Sequence, residues 1–189
     1  MVNFIHETSY VDEGVELGDN TNVWHFSHIL KGTKTGESCS FGQNCVVGPE
    51  VILGDRVKVQ NNITIHDRVE IGDDVLLGPS VSFANAVNRR SFICRKFEMK
   101  WTKIARGVTV GANATIVRGS EIGEYAVVGA GALVDGEVKA YSQVGGVPAR
   151  HTNWVGKSGD PLEFGDDGIA EDEFTSTKYK LVDGSVTEV

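Results

Sequence analysis

The chain has 189 residues, a formal net charge of −8, and 40% hydrophobic and 23% charged residues. This composition is ordinary for a soluble globular protein and disfavours nucleic-acid binding as the main role. No apolar run approaches the ~20 residues that span a membrane and no secretory signal is visible, so we expect a cytoplasmic protein. Three cysteines, Cys39, Cys45 and Cys94, without CxxC spacing argue against a disulfide framework or a zinc site.

A six-residue repeat starts at Ile5 and runs without a break to Asn88. It resumes at Ile104, which gives 20 repeats, and every lead residue except Thr35 is strongly apolar. Glycine follows the lead residue in 10 of the 20 repeats, and a small or β-branched residue stands four positions after it. The lead residues are Ile5, Val11, Leu17, Val23, Ile29, Thr35, Phe41, Val47, Leu53, Val59, Ile65, Ile71, Leu77, Phe83, Ile104, Val110, Ile116, Ile122, Val128 and Val134.

This period excludes an amphipathic helix, whose period is near 3.6. We expect each repeat to form one short strand and one corner, three repeats to close one triangular coil, and the corner glycines to supply backbone freedom. The pattern resembles the hexapeptide-repeat proteins, which implies an all-β fold, a left-handed parallel β-helix. A β-sandwich is the alternative, but its strands would not keep one register through so many repeats.

The frame breaks at residues 89–103, where the sequence RRSFICRKFEMKWTK contains six basic residues. We interpret this stretch as an inserted loop that leaves one corner and returns to it. The helix domain is expected at residues 1–150, and residues 151–189 form an acidic C-terminal extension with nine Asp/Glu against three Lys. In the extension, Pro161–Phe164 and Lys178–Val182 suit short strands and Asp183-Gly184 suits a turn. The extension would cap the end of the helix or form a partly disordered appendage.

Small residues in the last coils favour an acyl-CoA site. Ala112 and Ala130 are three repeats apart and would stack on one edge, where a pantetheine arm could lie against the backbone; plain helix packing is the alternative. Arg118, Lys139 and Arg150 could meet the phosphates of CoA. A zinc-dependent carbonic anhydrase is disfavoured, because no two of the five histidines stand one coil apart on one edge.

Several segments between Ile5 and Trp154 resemble the 3-N-acetyltransferases of nucleotide-linked amino sugars, and among them those acting on UDP-2-acetamido-3-amino-2,3-dideoxyglucuronate. These segments are Trp24-His25-Phe26-Ser27-His28-Ile29, Gly42-Gln43-Asn44, Gln60-Asn61-Asn62, Gly78-Pro79-Ser80 and Phe83-Ala84-Asn85 through Arg90. The resemblance implies a homotrimer, acetyl-CoA as co-substrate, and an active site between subunits in which Asn85 lies by the sugar amine. Ala84 and Arg89 replace the Thr and Pro of the family pattern FTNxxNPR. The extension lacks cysteines found in some members, so no metal is predicted.

Coil arithmetic places His66 beside Asn85, since Ala84 stands three repeats after His66. His66 could accept a proton from the amine, and Asn85 could position the amine or stabilise developing charge; both could also be ordinary corner residues. For substrate binding we single out Gln43, Asn44, Asn61 and Asn62, whose amides could contact a uracil or sugar hydroxyls or form a structural ladder. Arg89 and Arg90 suit a diphosphate or a hexuronate carboxylate.

These observations predict an acetyl-CoA-dependent N-acetyltransferase acting on the 3-amino group of a UDP-hexuronate for surface polysaccharide or O-antigen biosynthesis. Two alternatives stay open: a 3-N- or 4-N-acetyltransferase of a dTDP-amino-dideoxyhexose, and a non-catalytic β-helix scaffold.

Overall fold

A computed structural model describes residues 2–84, 90, 92–93 and 100–189. These residues form a parallel β-helix of about seven coils with three flat faces, called sheets A, B and C, and the predicted fold class is confirmed. None of the described residues forms a helix suited to crossing a bilayer.

The strands are short because each carries only the flat part of one repeat. Sheet A contains, in spatial order, β1 (Phe4–Ile5), β3 (Asn22–Val23), β6 (Ser40–Phe41), β9 (Lys58–Val59), β12 (Leu76–Leu77), β15 (Thr109–Val110), β18 (Val127–Val128), β21 (Ser142–Gly145) and β22 (Arg150–Trp154). Sheet B contains β2 (Tyr10–Val11), β4 (His28–Ile29), β7 (Val46–Val47), β10 (Thr64–Ile65), β13 (Ser82–Ala84), β16 (Thr115–Val117) and β19 (Leu133–Val134). Sheet C contains β5 (Lys34–Thr35), β8 (Val51–Leu53), β11 (Val69–Ile71), β14 (Thr102–Ile104), β17 (Glu121–Ile122) and β20 (Glu137–Val138).

The core is built from two ladders of inward side chains. Lead residues such as Ile65 and Ile116 are fully buried, and so are the residues four positions later, such as Val69 at 3% exposure and Ser120 at 0%. Partners on neighbouring coils are three repeats apart, as in Thr64 with Ser82. The chain turns at a first corner after each sheet A strand, a second corner after sheet B and a third corner after sheet C.

The role expected of the recurring glycines was wrong in one respect. The left-handed backbone conformation falls two positions after them, as at Asn44 (φ 57°), which follows Gly42. It occurs at the same corner position of the next coil, at Asn62 (φ 63°), which follows Gln60. Asparagine tolerates this conformation better than most residues do. The recurring glycines instead permit close approach of the next coil. A Cβ atom on Gly54 would overlap the Asp73 carboxylate and lie 2.7 Å from the Asp73 amide nitrogen.

The register locates the insertion and measures its length. Across sheet C, Val51 pairs with Val69, and Val69 pairs in turn with Thr102. The sequence separation of the second pair exceeds that of the first pair by the full length of residues 89–103, and the additional residues lie between β13 and β14. The loop therefore leaves the helix at the second corner and returns to the same frame.

The extension packs against the end of the helix. Strand β22 runs antiparallel to β21, and β23 (Ile169–Asp172), β24 (Thr177–Val182) and β25 (Ser185–Glu188) form a separate antiparallel sheet. Tyr179 and Leu162 form a second core with Tyr141 of the third corner. The turn at Asp183-Gly184 joins β24 to β25 as expected, whereas of Pro161–Phe164 only Pro161 makes a bridge, to Val155. The domain boundary at residue 150 stays a prediction.

One carboxylate organises the loop before this sheet. Burial alone would raise the pKa of Asp172, yet hydrogen bonds from Ser158 and Thr175 lower it. A Cβ atom on Gly156 would overlap the same carboxylate, lying 2.8 Å from Asp172 Cγ, so glycine is needed for the loop to approach. The extension is thus held by polar contacts as well as by its own small core.

The outer faces of the three sheets differ in charge. Each outward residue precedes a residue whose side chain points inward, because side chains alternate along a strand. The outward residues are Lys34, Ile52, Glu70, Lys103, Glu121 and Glu137 on sheet C, Tyr10, His28, Val46, Thr64, Ser82, Thr115 and Leu133 on sheet B, and Phe4, Asn22, Ser40, Lys58, Leu76, Thr109, Val127 and Gln143 on sheet A. Among these described positions, sheet C has mostly charged side chains. Lys58 is the only charged side chain at the described outward positions of sheet A, and His28 is the only basic side chain at those of sheet B.

Candidate active site

The four predicted amides lie together on the first corner. Asn61 Oδ1 accepts a hydrogen bond from the Gln43 N–H at 2.8 Å, and Asn44 Nδ2 donates to Asn62 Oδ1 at 3.0 Å. Asn61, Asn44 and Asn62 therefore take part in a ladder between coils, which was the alternative to ligand binding. Their remaining amide atoms and the exposed Gln43 side chain face outward, so a role in substrate binding stays a prediction.

Further along the same corner, the small residues stack as expected. The Gly131 N–H donates to the Ala112 carbonyl at 2.8 Å, and a Cβ atom on Gly111 would lie 2.5 Å from the Ala130 amide nitrogen. Without larger side chains, the backbone of these coils is accessible from one side. The edge is suited to an extended, amide-bearing ligand such as a pantetheine arm, as proposed for Ala112 and Ala130.

Two of the three predicted CoA-binding cations lie at the end of the helix. Lys139 and Arg150 line one hollow of about 430 Å³ together with His151 and Trp154. Lys139 Nζ donates to the Gly184 carbonyl at 2.6 Å, so the ammonium also holds the turn of the C-terminal sheet. Arg150 is exposed and follows the first corner of the last coil.

Arg118 lies elsewhere, on the second corner. Its N–H donates to the Ala84 carbonyl at 2.8 Å. His66, Asp67, Lys100 and Arg118 line a small hollow beside Ala84. Arg118 is therefore placed with the predicted proton acceptor, away from Lys139 and Arg150.

His66 is half-buried and lies next to Ala84, which agrees with the coil arithmetic. Asn85 and Arg89 lie outside the described residues, so their positions remain expectations. Arg90 is exposed and bridges to Ile93, whose N–H donates to the Arg90 carbonyl at 3.0 Å.

Lys100 was missed by the sequence reasoning, although the signal was present. It stands one coil length before Arg118, and the two residues occupy successive coils of one corner. A Cβ atom on Gly119 would lie 3.1 Å from Lys100 Cδ, which places the lysine stem against this corner. Two cations therefore flank His66, and this side of the site is suited to an anionic substrate group.

Three other histidines lie on the first coils. The rings of His6 and His25 stack with centroids 3.6 Å apart, and His25 Nδ1 is buried with no hydrogen-bond partner in the described part of the chain. His28 Nε2 lies 2.7 Å from Asp12 Oδ1, and this hydrogen bond lowers the pKa of Asp12. Within the described ranges no group of three or more His, Cys, Asp or Glu side chains could hold a metal ion.

Two cysteines belong to the inner ladder. Cys39 Sγ donates to the Gly54 carbonyl at 3.2 Å and Cys45 Sγ to the Gln60 carbonyl at 3.0 Å. Burial raises the pKa of both thiols. They are thus core residues and poor nucleophiles, while Cys94 lies outside the described residues.

Most of the described candidate residues therefore fall into two groups on different edges of the prism, whereas Lys139 follows the last strand of sheet C on the third corner. Amides and small residues line the first corner, and His66, Lys100 and Arg118 line the second. One repeat of sheet B separates these corners, a distance of roughly 15–20 Å at ~3.3 Å per residue. Within one chain, the width of sheet B therefore separates the two groups.

A coil of hexapeptide repeats with three flat faces and a corner of small residues is the architecture of the hexapeptide-repeat proteins. The sequence profile "Bacterial transferase hexapeptide (six repeats)" matches residues 102–136, and "Hexapeptide repeat of succinyl-transferase" matches residues 33–66. A curated relative, dTDP-3-amino-3,6-dideoxy-alpha-D-galactopyranose 3-N-acetyltransferase of Aneurinibacillus thermoaerophilus, is 46% identical over 186 residues, covering 98% of this chain and 95% of its own. The chain therefore belongs to the hexapeptide-repeat acetyltransferases.

Two solved structures agree in fold. The acetyltransferase domain of PglB from Neisseria gonorrhoeae, in complex with acetyl coenzyme A, has a TM-score of 0.53 at 18% identity and covers 79% of this chain and 57% of that chain. A point mutant of AntD, an N-acyltransferase from Bacillus cereus in complex with dTDP and coenzyme A, has a TM-score of 0.50 at 17% identity and covers 82% of this chain and 83% of that chain. The dTDP-sugar relative differs from the UDP-uronate enzymes that the sequence motifs suggested.

Proposed function

We propose that this chain transfers the acetyl group of acetyl-CoA to the 3-amino group of a dTDP-linked 3-amino-3,6-dideoxyhexose, a building block for a surface polysaccharide. The observation that carries the proposal is the 46% identity, spread over 98% of the chain, to an enzyme named for that reaction. The sugar differs from the UDP-hexuronate that the motifs suggested, while the class of reaction is the same.

The first corner supplies the acetyl-CoA side of the site. The pantetheine arm lies along Ala112 and Ala130 and pairs with the backbone there. Arg150 stands at the end of the same corner and meets the phosphates of CoA. Lys139 can join it only by giving up or sharing its bond to the Gly184 carbonyl.

The second corner supplies the amine side. The neutral sugar amine attacks the thioester carbonyl, the C–N bond forms, the C–S bond breaks, and the CoA thiolate leaves. His66 takes the proton that the amine loses, and alignment of the two reactants supplies much of the rate. Asn85 positions the amine, and Lys100 and Arg118 line the same hollow as His66.

A homotrimer brings the two corners together. Sheet B separates them and bears no carboxylate, lysine or arginine at its described outward positions, whereas sheet C is charged and suited to water. If sheet B of each subunit faces the threefold axis, the first corner of one subunit meets the second corner of the next. Three equivalent active sites then form between subunits.

The test is thiol release from acetyl-CoA with a panel of amino-sugar nucleotides. We expect turnover with a dTDP-3-amino-3,6-dideoxyhexose and little with its 4-amino isomer, because amine position decides alignment with the thioester. Acetyl-CoA without acceptor measures background hydrolysis. Absence of acetyl-CoA binding at millimolar concentration, measured by calorimetry, would refute catalysis and favour the scaffold alternative.

A second candidate substrate is a UDP-linked 3-amino-hexuronate. It is favoured by Lys100 and Arg118, two cations beside His66 that could pair with a C6 carboxylate. In the same panel, Arg118→Gln should reduce turnover of the uronate far more than that of a 6-deoxy sugar if the carboxylate lies there. Equal losses for both substrates would place Arg118 against a group that both contain.

A further inference from the structure

A polar hollow on the first corner has no role in the acetyl-transfer steps described above. It has a volume of about 330 Å³, lies between the second and fourth coils, and is lined by Trp24, Gln43, Lys58, Gln60 and Asn61. An aromatic ring, three amides and one cation are the groups that bind a base and its phosphates.

Trp24 forms the aromatic wall and its orientation is fixed. Its ring lies 5.1 Å from Phe4 at an angle of 53° and runs nearly parallel to His25, at 12°. The indole is nonetheless 42% exposed, although large aromatic rings usually bury most of their surface. The accessible part of a fixed ring is a ready surface for stacking a base.

The amides give this wall a hydrogen-bonding edge. Because Asn61 Oδ1 is committed to the Gln43 N–H, the Asn61 carboxamide is held in place and its NH₂ group remains as a donor. The side chains of Gln43 and Gln60 are exposed, and each offers one acceptor and one NH₂ donor. A carboxamide matches the adjacent carbonyl and N–H of a pyrimidine such as thymine or uracil.

Lys58 supplies the charge. It is the only charged residue among the described outward positions of sheet A, and its neighbours across the sheet, Ser40 and Leu76, are uncharged. A lone ammonium on an otherwise neutral face beside an aromatic wall suits a diphosphate.

The spacing along the corner is consistent with a nucleotide at this end. The coil of Trp24 lies four coils from that of Ala112, which is ~19 Å at ~4.8 Å per coil. Base and diphosphate at one end, sugar between, and the pantetheine arm at the other end would fill the corner in one line. The sugar amine then points toward the thioester.

We propose that this hollow is the subsite for the pyrimidine base and diphosphate of the sugar nucleotide: Trp24 stacks on the base, Gln43 and Gln60 bind its edge, and Lys58 binds the diphosphate. The proposal rests on the proposed function, since it assumes a nucleotide-linked acceptor. It adds Trp24, Lys58 and Gln60 to the site and assigns the base to the first corner, away from His66.

The experiment titrates dTDP and thymidine into the full-length protein by calorimetry and by quenching of tryptophan fluorescence. We expect Trp24→Leu to weaken dTDP binding by a factor between about 5 and 150, as loss of one base stack does, and Trp24→Phe to restore most of it. Lys58→Gln should weaken dTDP binding but leave thymidine binding unchanged. Lys34→Gln, on the charged outer face of sheet C, is the matched control and should change neither.

Two results would overturn the proposal. If the wild-type protein binds dTDP and transfers acetyl groups but Trp24→Leu and Lys58→Gln bind dTDP normally, the subsite is wrong and the acetyltransferase function stands. If Trp24→Leu changes only the oligomeric state in light scattering, the aromatic surface is a subunit contact. Failure of the wild-type protein both to bind dTDP and to release thiol would instead overturn the proposed function itself.

Discussion

Gly54→Ala tests the physical role of the recurring glycine. The substitution adds one methyl group at a position whose backbone φ suits any residue, so backbone strain is not involved. The new Cβ atom would overlap the Asp73 carboxylate, and it would lie 2.7 Å from the Asp73 amide nitrogen and 2.9 Å from the Gly72 carbonyl carbon of the next coil. All three approaches are closer than van der Waals contact, and the last two are with backbone that is fixed in the coil.

The expected change in the free energy of unfolding is the sum of two destabilising effects and one stabilising effect. Overpacking against fixed backbone costs about 1–3 kcal/mol. Displacing the Asp73 carboxylate breaks its 2.9 Å hydrogen bond from the Asp55 N–H, a net loss of about 1 kcal/mol. Alanine lowers the conformational entropy of the unfolded chain, which stabilises the folded protein by about 0.4–1 kcal/mol. The expected net loss is about 1–3.5 kcal/mol, or about 2–14 °C in Tm for a chain of this size.

Thermal denaturation followed by circular dichroism measures this change, and Gly145→Ala is the matched control. A Cβ atom on Gly145 would meet only Thr152 Cγ2, at 3.9 Å. That variant should melt at or slightly above the wild-type temperature, because alanine lowers the entropy of the unfolded chain and introduces no clash in the folded protein. A Gly54→Ala protein that melts as high as Gly145→Ala would refute the close-approach argument.

Three further predictions concern the second corner, the first corner and the extension. His66→Ala should lower kcat by about 10²- to 10⁴-fold if His66 accepts the proton, whereas near-wild-type turnover across the pH range would exclude that role. Asn62→Ala should be less stable to thermal denaturation than Asn62→Gly by about 1–2 kcal/mol, since both lose the bond to Asn44 but only alanine is strained at φ 63°; equal stability would contradict this. The ion pair with Lys157 and the hydrogen bond from Tyr141 lower the pKa of Glu188. The Glu188 carboxylate therefore stabilises the extension above its unfolded pKa of about 4.3, and the contribution is lost as pH falls through the lower folded pKa. A near-ultraviolet circular dichroism titration should show this loss as an acid transition that is absent in Glu188→Gln. An unchanged transition in the variant would assign it to another group.

The periodic part of the fold was predictable because each residue's environment repeats. The position of Ile65 at the start of a repeat is enough to predict that its side chain is buried. Counting three repeats is enough to predict that Ala84 lies next to His66 on the following coil. The same count would have placed Lys100 under Arg118. The length of the insertion likewise follows from where the frame stops and resumes.

The remaining features could not be obtained in this way. Periodicity shows that glycine recurs after the lead residue, but it does not give φ, so close approach was mistaken for backbone freedom. The partner of Lys139 is Gly184, 45 residues away in a stretch with no repeat.

Strand β22 has a consequence for how these molecules behave in concentrated solution. A coil at the end of a parallel β-helix would present unpaired N–H and C=O groups at the spacing that another coil fits. Here β22 covers the last strand of sheet A in the antiparallel sense. The Leu133 N–H donates to the Gly146 carbonyl at 3.0 Å, and the Leu133 carbonyl accepts from the Ala149 N–H at 2.8 Å, so sheet B is also closed. The chain itself thereby occupies the edges of β21 and β19, so a coil of another molecule cannot add to either strand.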